Sequence, residues 1–368
     1  MKKIRVGVIG GGYMGKAHSV AARSVSSVFE LDAEVMLQGV AASSEASAQH
    51  YARAFGAQQA YSDAHTLINS PEIDAVIVAS PQSTHLEYVT ACAKAGKPVL
   101  CEKPMGRDWA EAKKIADVAQ SVTNLVGYNY IQTPATAFAR ELIASGELGS
   151  VMWFRGEHHE DFLANPGPKT WRESGDANGT LGDLAPHMVQ CAQALCGAIG
   201  AVVADISKTP EIRKQQPSAD TNDDQAHSLV RFKSGATGFL SFSRVAHGRK
   251  MGYAYEVHLT QGAIRFDQED QNALWVYRAD QGASAGFTKV LAGPQHGDYR
   301  YFCQGPGHGT GYQDQIIIEQ GNFFSAIVNN TAAWPDFKDG VEVIKVIEAI
   351  RQSKQQNSWV QLAEVHAE

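Results

Sequence analysis

The sequence predicts an α/β unit followed by an α+β unit: a parallel sheet wrapped by helices up to about residue 128, then an open-faced, mostly antiparallel sheet over 129–368. Three observations carry this prediction. Strand and helix signals alternate through the first third of the chain. A G-x-G-x-x-G turn stands between the first strand signal and the first helix signal. After Tyr128, short strand signals follow one another in hairpin-like succession and helices become scarcer. At 368 residues the chain is long enough for two domains of about 150 residues each.

The elements follow in order. Ile4–Ile9 is a β-branched run that ends in glycines, and a helix over about 15–28 comes next. A second strand spans Val35–Ala41. The Ala-rich stretch Ser44–Phe55 is helical and stops at Gly56, the usual C-terminal glycine. Asp74–Ala79 is almost continuously apolar, as expected of a strand covered on both faces. Thr84–Ala95 reads as a helix, Pro98–Cys101 as a strand, and Asp108–Gln120 as a helix opened by the capping-box spacing of Asp108 and Glu111. Asn124–Tyr128 closes the unit. Beyond it, strands are expected at Val151–Glu157, Val202–Lys208, Ala226–Phe232, Gly238–Val245, Tyr253–Thr260 and Gly262–Asp267, with a closing helix at Glu342–Ser353. Two stretches, 165–182 and 295–311, are rich in Gly, Pro and polar residues and read as long functional loops.

Composition narrows the function classes. Lys plus Arg number 32 against 39 Asp plus Glu, a net charge of −7, which argues against a nucleic-acid binder or a basic membrane-attached face. No apolar run is long enough for a transmembrane helix. The five cysteines form no CxxC pair and are odd in number, which suits a reducing, cytoplasmic setting. The apolar run Val6–Ile9 is too short for a signal peptide and is read as a first strand.

The chemistry concentrates in three places. In Gly10-Gly11-Gly12-Tyr13-Met14-Gly15 the glycines allow a tight turn and close backbone approach, and the following helix N-terminus favours a pyrophosphate. Gly10, Gly12, Tyr13, Met14 and Gly15 are therefore cofactor-binding candidates. The acid expected after the second strand to bind a ribose 2′-hydroxyl is missing, and Ser43 and Ser44 stand there instead. Its absence suits NADP. The lack of Arg or Lys over 41–52 suits NAD, and the balance leans to NAD. Ser80, just past the Asp74–Ala79 strand, is a further candidate for lining the cofactor site. Glu102-Lys103-Pro104 follows the Pro98–Cys101 strand and so lies at the carboxyl edge of the sheet, where open α/β sheets bind ligands; an edge salt bridge is the plainer alternative.

In the second part, Gly179-Thr180-Leu181-Gly182-Asp183 leads through Pro186 to His187 on a helix running to about Leu195. Asp183 and His187 are four residues apart and would share a helix face; a helix cap and a core histidine are the plainer readings. The run Glu157-His158-His159-Glu160-Asp161 has the look of metal-ligand material, but adjacent strand residues point to opposite faces, so a strand end leading into a substrate loop is favoured over a metal site. His158 is kept as a substrate contact. Trp171 and Arg172 are candidate nicotinamide or substrate contacts, with a packing tryptophan as the alternative. Tyr13, Tyr128 and Asn129 are candidates for sugar hydroxyls, and His308 and Tyr312 belong to a Gly-rich loop with rings suited to carbohydrate.

The glycine turn, the EKP motif at 102–104 and the G-x-x-G-D-x-x-x-H pattern at 179–187 together resemble the glucose–fructose oxidoreductase / inositol dehydrogenase (Gfo/Idh/MocA) family, from about residue 4 to about 350. The resemblance implies a Rossmann NAD(P)-binding domain over 1–128 and an open-faced sheet domain over 129–368. It also implies that Lys103, Asp183 and His187 are catalytic, that His85, at the start of the helix after the Asp74–Ala79 strand, lines the cofactor cleft, and that a homodimer or homotetramer forms through the sheet. Two features depart from the family pattern: Gln190 stands where an acid is common, and the end of the second strand lacks its acid. The implied activity is an NAD(P)-dependent dehydrogenase for a secondary hydroxyl of a sugar, inositol or sugar derivative, with His187 as base and Lys103 polarising the oxygen. The alternatives are an NAD-dependent glycoside hydrolase and a non-catalytic binder of the same fold.

Overall fold

The computed structural model describes residues 2–165, 171–173, 175–209, 222–302 and 305–365. Its first unit begins with β1 (Lys2–Ile9), α1 (Tyr13–Val28), β2 (Ala33–Ala41), α2 (Glu45–Phe55), β3 (Gln59–Tyr61), α3 (Ala64–Asn69), β4 (Ala75–Val78), α4 (His85–Lys94), β5 (Val99–Glu102), α5 (Trp109–Val118) and β6 (Asn124–Gly127). The six strands pair in parallel in the order β3-β2-β1-β4-β5-β6, the order of a doubly wound dinucleotide-binding sheet. Ala75-Val76-Ile77-Val78 is fully buried, which is why its apolar residues run without alternation. Ser44 caps α2 and Gly56 ends it with φ +78°; Asp108 caps α5 by accepting from the Glu111 N–H.

The second unit contains α6 (Pro134–Ala144), β7 (Val151–His159), α7 (Thr180–Asp183), α8 (Ala185–Cys196), β8 (Ile199–Ser207), β9 (Gln225–Phe232), β10 (Thr237–Ser243), β11 (Gly252–Leu259), β12 (Gly262–Asp267), β13 (Ala273–Arg278) and β14 (Thr288–Leu291). After α9 (Tyr312–Asn329) and α10 (Phe337–Gln356), β15 (Val360–Gln361) completes a nine-stranded sheet in the order β14-β13-β12-β11-β7-β10-β9-β8-β15. Within this sheet, β7 and β10 pair in parallel and the other pairs among the described strands are antiparallel. One face is covered by α6 and α8. Trp153, Leu229 and Leu291 are exposed on the other. Gly156 faces α8, and a Cβ there would come 2.5 Å from the Met188 sulfur, so the glycine is what lets this helix lie close.

Residues 310–342 group with the first unit, and 133–309 with 343–368 form the second. This differs from a contiguous second part over 129–368. The reason is α9, a helix not anticipated from the sequence. It packs along α1, burying Ile316, Ile318, Phe323 and Phe324. At Gly321 a Cβ would come 2.8 Å from the Phe29 ring. The short α6 and the edge strands β13 and β14 were also not anticipated.

Candidate active site

In the first unit the glycine turn depends on glycine at Gly10 and Gly15 for steric reasons and at Gly12 for none. Gly10 has φ +113°, and a Cβ there would sit 2.4 Å from the Ala79 carbonyl oxygen. A Cβ on Gly15 would sit 2.0 Å from the Gly10 carbonyl oxygen, so close packing of α1 on β1 requires glycine. A Cβ on Gly12 would meet nothing within 4 Å, so this glycine is not needed for packing and leaves a cradle at the N-terminus of α1. No side chain caps that helix end. A bare helix N-terminus with an open glycine fits a dinucleotide pyrophosphate. Tyr13 is exposed beside it, its ring centroid 6.0 Å from that of Tyr312; Tyr130 lies equally far from Tyr312, and the Tyr312 hydroxyl contacts the Met14 sulfur at 3.5 Å.

At the end of β2, Ser44 accepts the Ser47 N–H as the α2 cap, and Ser43 is exposed. Ser80 bonds Thr84 through their hydroxyls at 2.7 Å. His85 is buried, with Nδ1 3.2 Å from the Met105 carbonyl and Nε2 3.1 Å from the Ser80 carbonyl; burial holds its pKa below the usual imidazole value. It thereby ties the end of β4 to the loop after β5. Glu102 ends β5, buried. Its Oε2 accepts the Lys103 main-chain N–H at 3.1 Å and its Oε1 lies 2.7 Å from His18 Nε2. Lys103 is half-buried and joined to Pro104 by a cis peptide. Tyr128 and Asn129 are both buried in this unit. Burial pushes the Tyr128 hydroxyl well up, and the Asn129 amide donates to Gln315 on α9 at 3.0 Å.

In the second unit β7 and α8 bring the polar residues together. From Phe154 onward the even-numbered residues of β7 are buried on the helix-covered face, so after Phe154 and Gly156 comes His158, buried beneath the start of α8. Its Nδ1 donates to the Leu184 carbonyl at 3.0 Å, and its Nε2 lies 3.0 Å from the Glu160 carboxylate. The His158 ring centroid is 5.8 Å from that of His187 and 5.5 Å from that of Tyr253. His187 is buried on the first turn of α8, where Pro186 is tolerated because its missing N–H would have had no helical partner. Gln190 lies one turn further on, also buried. Asp183 ends α7, where its Oδ2 accepts from Arg172 Nε at 3.0 Å. His159 points the other way, to the Ser241 hydroxyl at 2.7 Å; burial and the neighbouring His158 and His227 hold its pKa down to about 4. Trp171 opens a short 3-10 turn with Arg172, but its side chain, like residues 166–170 of the predicted loop and Cys303, lies outside the described residues. His308 is exposed in the second unit, whereas Tyr312 begins α9 of the first.

The scaffold behind Arg172 and Asp183 was missed at the sequence. Arg244 is wholly buried and pairs with buried Asp224 at 3.2 Å; it also donates to the Asn222 side-chain oxygen and to the carbonyls of Arg172 (2.8 Å) and Asn178 (3.4 Å). The Asn222 amide donates to the Arg172 and Gly175 carbonyls, and Asp223 accepts the Leu181 N–H at 2.8 Å. The segment from Arg172 to α7 is thus held by Asn222, Asp223 and Arg244, none of which stands in a motif.

Comparison with known proteins agrees with this architecture. A family model described as an oxidoreductase family with an NAD-binding Rossmann fold matches residues 4–130, and one for the Gfo/Idh/MocA C-terminal domain matches 136–265. The chain is 35% identical to a levoglucosan dehydrogenase of Pseudarthrobacter phenanthrenivorans, covering 100% of both chains. It is 25% identical to a myo-inositol 2-dehydrogenase of Thermotoga maritima, covering 98% of this chain and 99% of that one. A levoglucosan dehydrogenase structure in complex with NADH and levoglucosan superposes with a TM-score of 0.94 at 35% identity, covering 99% of this chain and 100% of that one.

Proposed function

Because the chain belongs to the Gfo/Idh/MocA oxidoreductase family, whose N-terminal part is an NAD-binding Rossmann fold, we propose that it is an NAD-dependent dehydrogenase for a secondary hydroxyl of an anhydrosugar, inositol or related polyol. The first unit serves as the cofactor domain and the second as the substrate and oligomerisation domain. The observation that carries the reading is the His187 ring, buried beside His158 and four residues after the Arg172-paired Asp183, the arrangement of a base with polar neighbours for a hydroxylated ligand.

Gly10, Gly12, Gly15 and the N-terminus of α1 would hold the pyrophosphate of NAD, which when bound supplies the acceptor for the hydrogen leaving carbon. The protein's residues manage the proton. His187 takes it from the substrate hydroxyl through an imidazole nitrogen, and the Lys103 ammonium polarises that oxygen and stabilises the developing alkoxide. Asp183, fixed by Arg172, accepts a hydrogen bond from a neighbouring hydroxyl. His158 presents its ring to the same hydroxyl-rich ligand. The absence of any Arg or Lys over 41–52 favours NAD over NADP. The exposed Trp153, Leu229 and Leu291 on one face of the nine-stranded sheet support a homo-oligomer formed through that face. Among the described residues no helix is long and apolar enough to cross a membrane, and four cysteines are buried free thiols, which supports a reducing, cytoplasmic setting.

The test follows the near-ultraviolet absorbance of NADH, with NAD and NADP in separate series, over anhydrosugars, inositols, aldoses and sugar acids. A rise with NAD and one polyol class is expected. Silence across the panel, with NAD retained by the purified protein and product released from a glycoside, would replace this reading with transient oxidation in a glycosidase.

A further inference from the structure

We propose that His18 is a positioning residue for Lys103: a buried relay from Gln320 on α9 fixes the imidazole tautomer, and that tautomer holds the Glu102 carboxylate against the Lys103 main chain. The inference rests on the reading of Lys103 as the group that polarises the substrate oxygen.

The relay follows from donor and acceptor rules. The Gln320 side-chain nitrogen lies 2.9 Å from the His18 carbonyl oxygen and 3.1 Å from Nδ1 of the same residue's ring. A carbonyl oxygen only accepts, so the amide group placed there must be NH2, which settles the orientation of the amide. An NH2 group only donates, so Nδ1 must carry the lone pair. The ring proton is therefore on Nε2, 2.7 Å from Glu102 Oε1, and donates to the carboxylate. The other oxygen, Oε2, accepts the Lys103 N–H at 3.1 Å. With the opposite tautomer, a lone pair on Nε2 would face a carboxylate oxygen, and the Gln320 NH2 would face an N–H.

The surroundings favour this one arrangement. His18 and Gln320 are fully buried and Glu102 nearly so. Gly127 pairs with Glu102 across β5 and β6, and a Cβ there would come 3.1 Å from the carboxyl carbon, so the glycine makes room for the carboxylate. Glu319, the neighbour of Gln320, is fully buried, and neither of its carboxyl oxygens has a hydrogen-bond partner among the described residues. Burial first, and the charge of Glu102 second, raise its pKa well above the carboxylate range, so it stays protonated and adds no second anion beside Glu102. The EKP lysine is thus mounted on a backbone whose N–H is held by a carboxylate that is itself held by a ring of fixed tautomer. Preorganisation of this kind matters because misplacing a reacting group by about 1 Å can cost on the order of a hundredfold in rate.

The test has one arm that does not use turnover. Nitrogen-15 NMR of imidazole-labelled wild type should find His18 protonated on Nε2 and bare on Nδ1; a proton on Nδ1, alone or with Nε2, would overturn the relay. Hydrogen exchange at the Lys103 amide should speed up about tenfold or more in His18→Leu and much less in His18→Gln, which keeps a donor where Nε2 stood; equal exchange in all three would overturn the positioning role. In turnover, His18→Leu should lose kcat toward that hundredfold with NADH affinity and substrate KM little changed, and His18→Gln should recover most of it. Unchanged kcat in His18→Leu would refute the catalytic consequence. If the wild type oxidises no polyol, the functional reading fails, while the NMR and exchange arms still decide the relay.

Discussion

Replacing Arg244 with methionine should destabilise the second unit by about 3–5 kcal/mol, the cost of removing one partner of a buried ion pair. The guanidinium is wholly buried and lies 3.2 Å from the equally buried Asp224 carboxylate. It also donates to Asn222 and to the carbonyls of Arg172 and Asn178. Methionine fills much of the volume, so the loss is chiefly the Asp224 charge left with fewer partners, of which the Thr209 N–H at 2.8 Å remains. Against a domain stability of about 5–15 kcal/mol this is a large fraction. The assay is urea unfolding followed by tryptophan fluorescence, comparing Arg244→Met, Asp224→Leu and the double variant. Removing both charges should cost clearly less than the sum of the single losses, because the double variant buries no uncompensated charge. A single-variant loss under about 1 kcal/mol, or strict additivity in the double, would refute the view that this pair clamps the segment carrying Arg172 and Asp183.

Gly12→Ala should leave stability within about 0.5 kcal/mol, since its methyl meets no atom within 4 Å, while weakening NADH about tenfold or more in a fluorescence titration. Gly15→Ala, whose Cβ would sit 2.0 Å from a backbone oxygen, should instead cost more than about 2 kcal/mol in unfolding. Glu319 has a folded pKa well above 4.5, so the folded state holds a proton that the unfolded state releases, and stability falls as pH rises past 4.5 by up to about 1.4 kcal/mol per pH unit. Glu319→Gln should flatten that fall in urea melts between pH 5 and pH 8 on the order of the same amount; a parallel pH dependence in the two proteins would count against a neutral buried acid. His159 is shifted the other way, so its contribution is lost as pH falls from 6.5 toward about 4, and its ring should remain unprotonated in NMR titrations until pH approaches that value.

The parallel sheet was legible because its signals are local. A continuous apolar run such as Ala75–Val78 marks a strand covered on both sides, and Gly10, Gly12 and Gly15 mark a turn whose backbone demands can be read residue by residue. Asp183 and His187 were legible as a spacing, and the expectation that His158 and His159 face opposite sides follows from strand pleating. Tyr128 and Asn129 were read as candidates for a ligand hydroxyl; both are buried in the first unit, and Asn129 bonds Gln315 on a helix 186 residues further along the chain. Nothing near residue 129 in the sequence announces that partner. The same holds for Arg244, which directly follows an ordinary strand, β10, and acquires its role only through its bonds to Asp224, Asn222 and the carbonyls of Arg172 and Asn178. Helix α9 was hidden because burial around much of its circumference blurs the amphipathic period that would have marked it.

The central claim is that Lys103 acts on the reacting oxygen rather than on the cofactor or the fold. Lys103→Ala, assayed with NAD and the best polyol beside a fluorescence titration with NADH, tests it most directly. The account predicts a loss of kcat of about 10²–10³-fold with NADH affinity and unfolding midpoint unchanged. Turnover that survives the substitution, or that disappears only because NADH no longer binds, would contradict it.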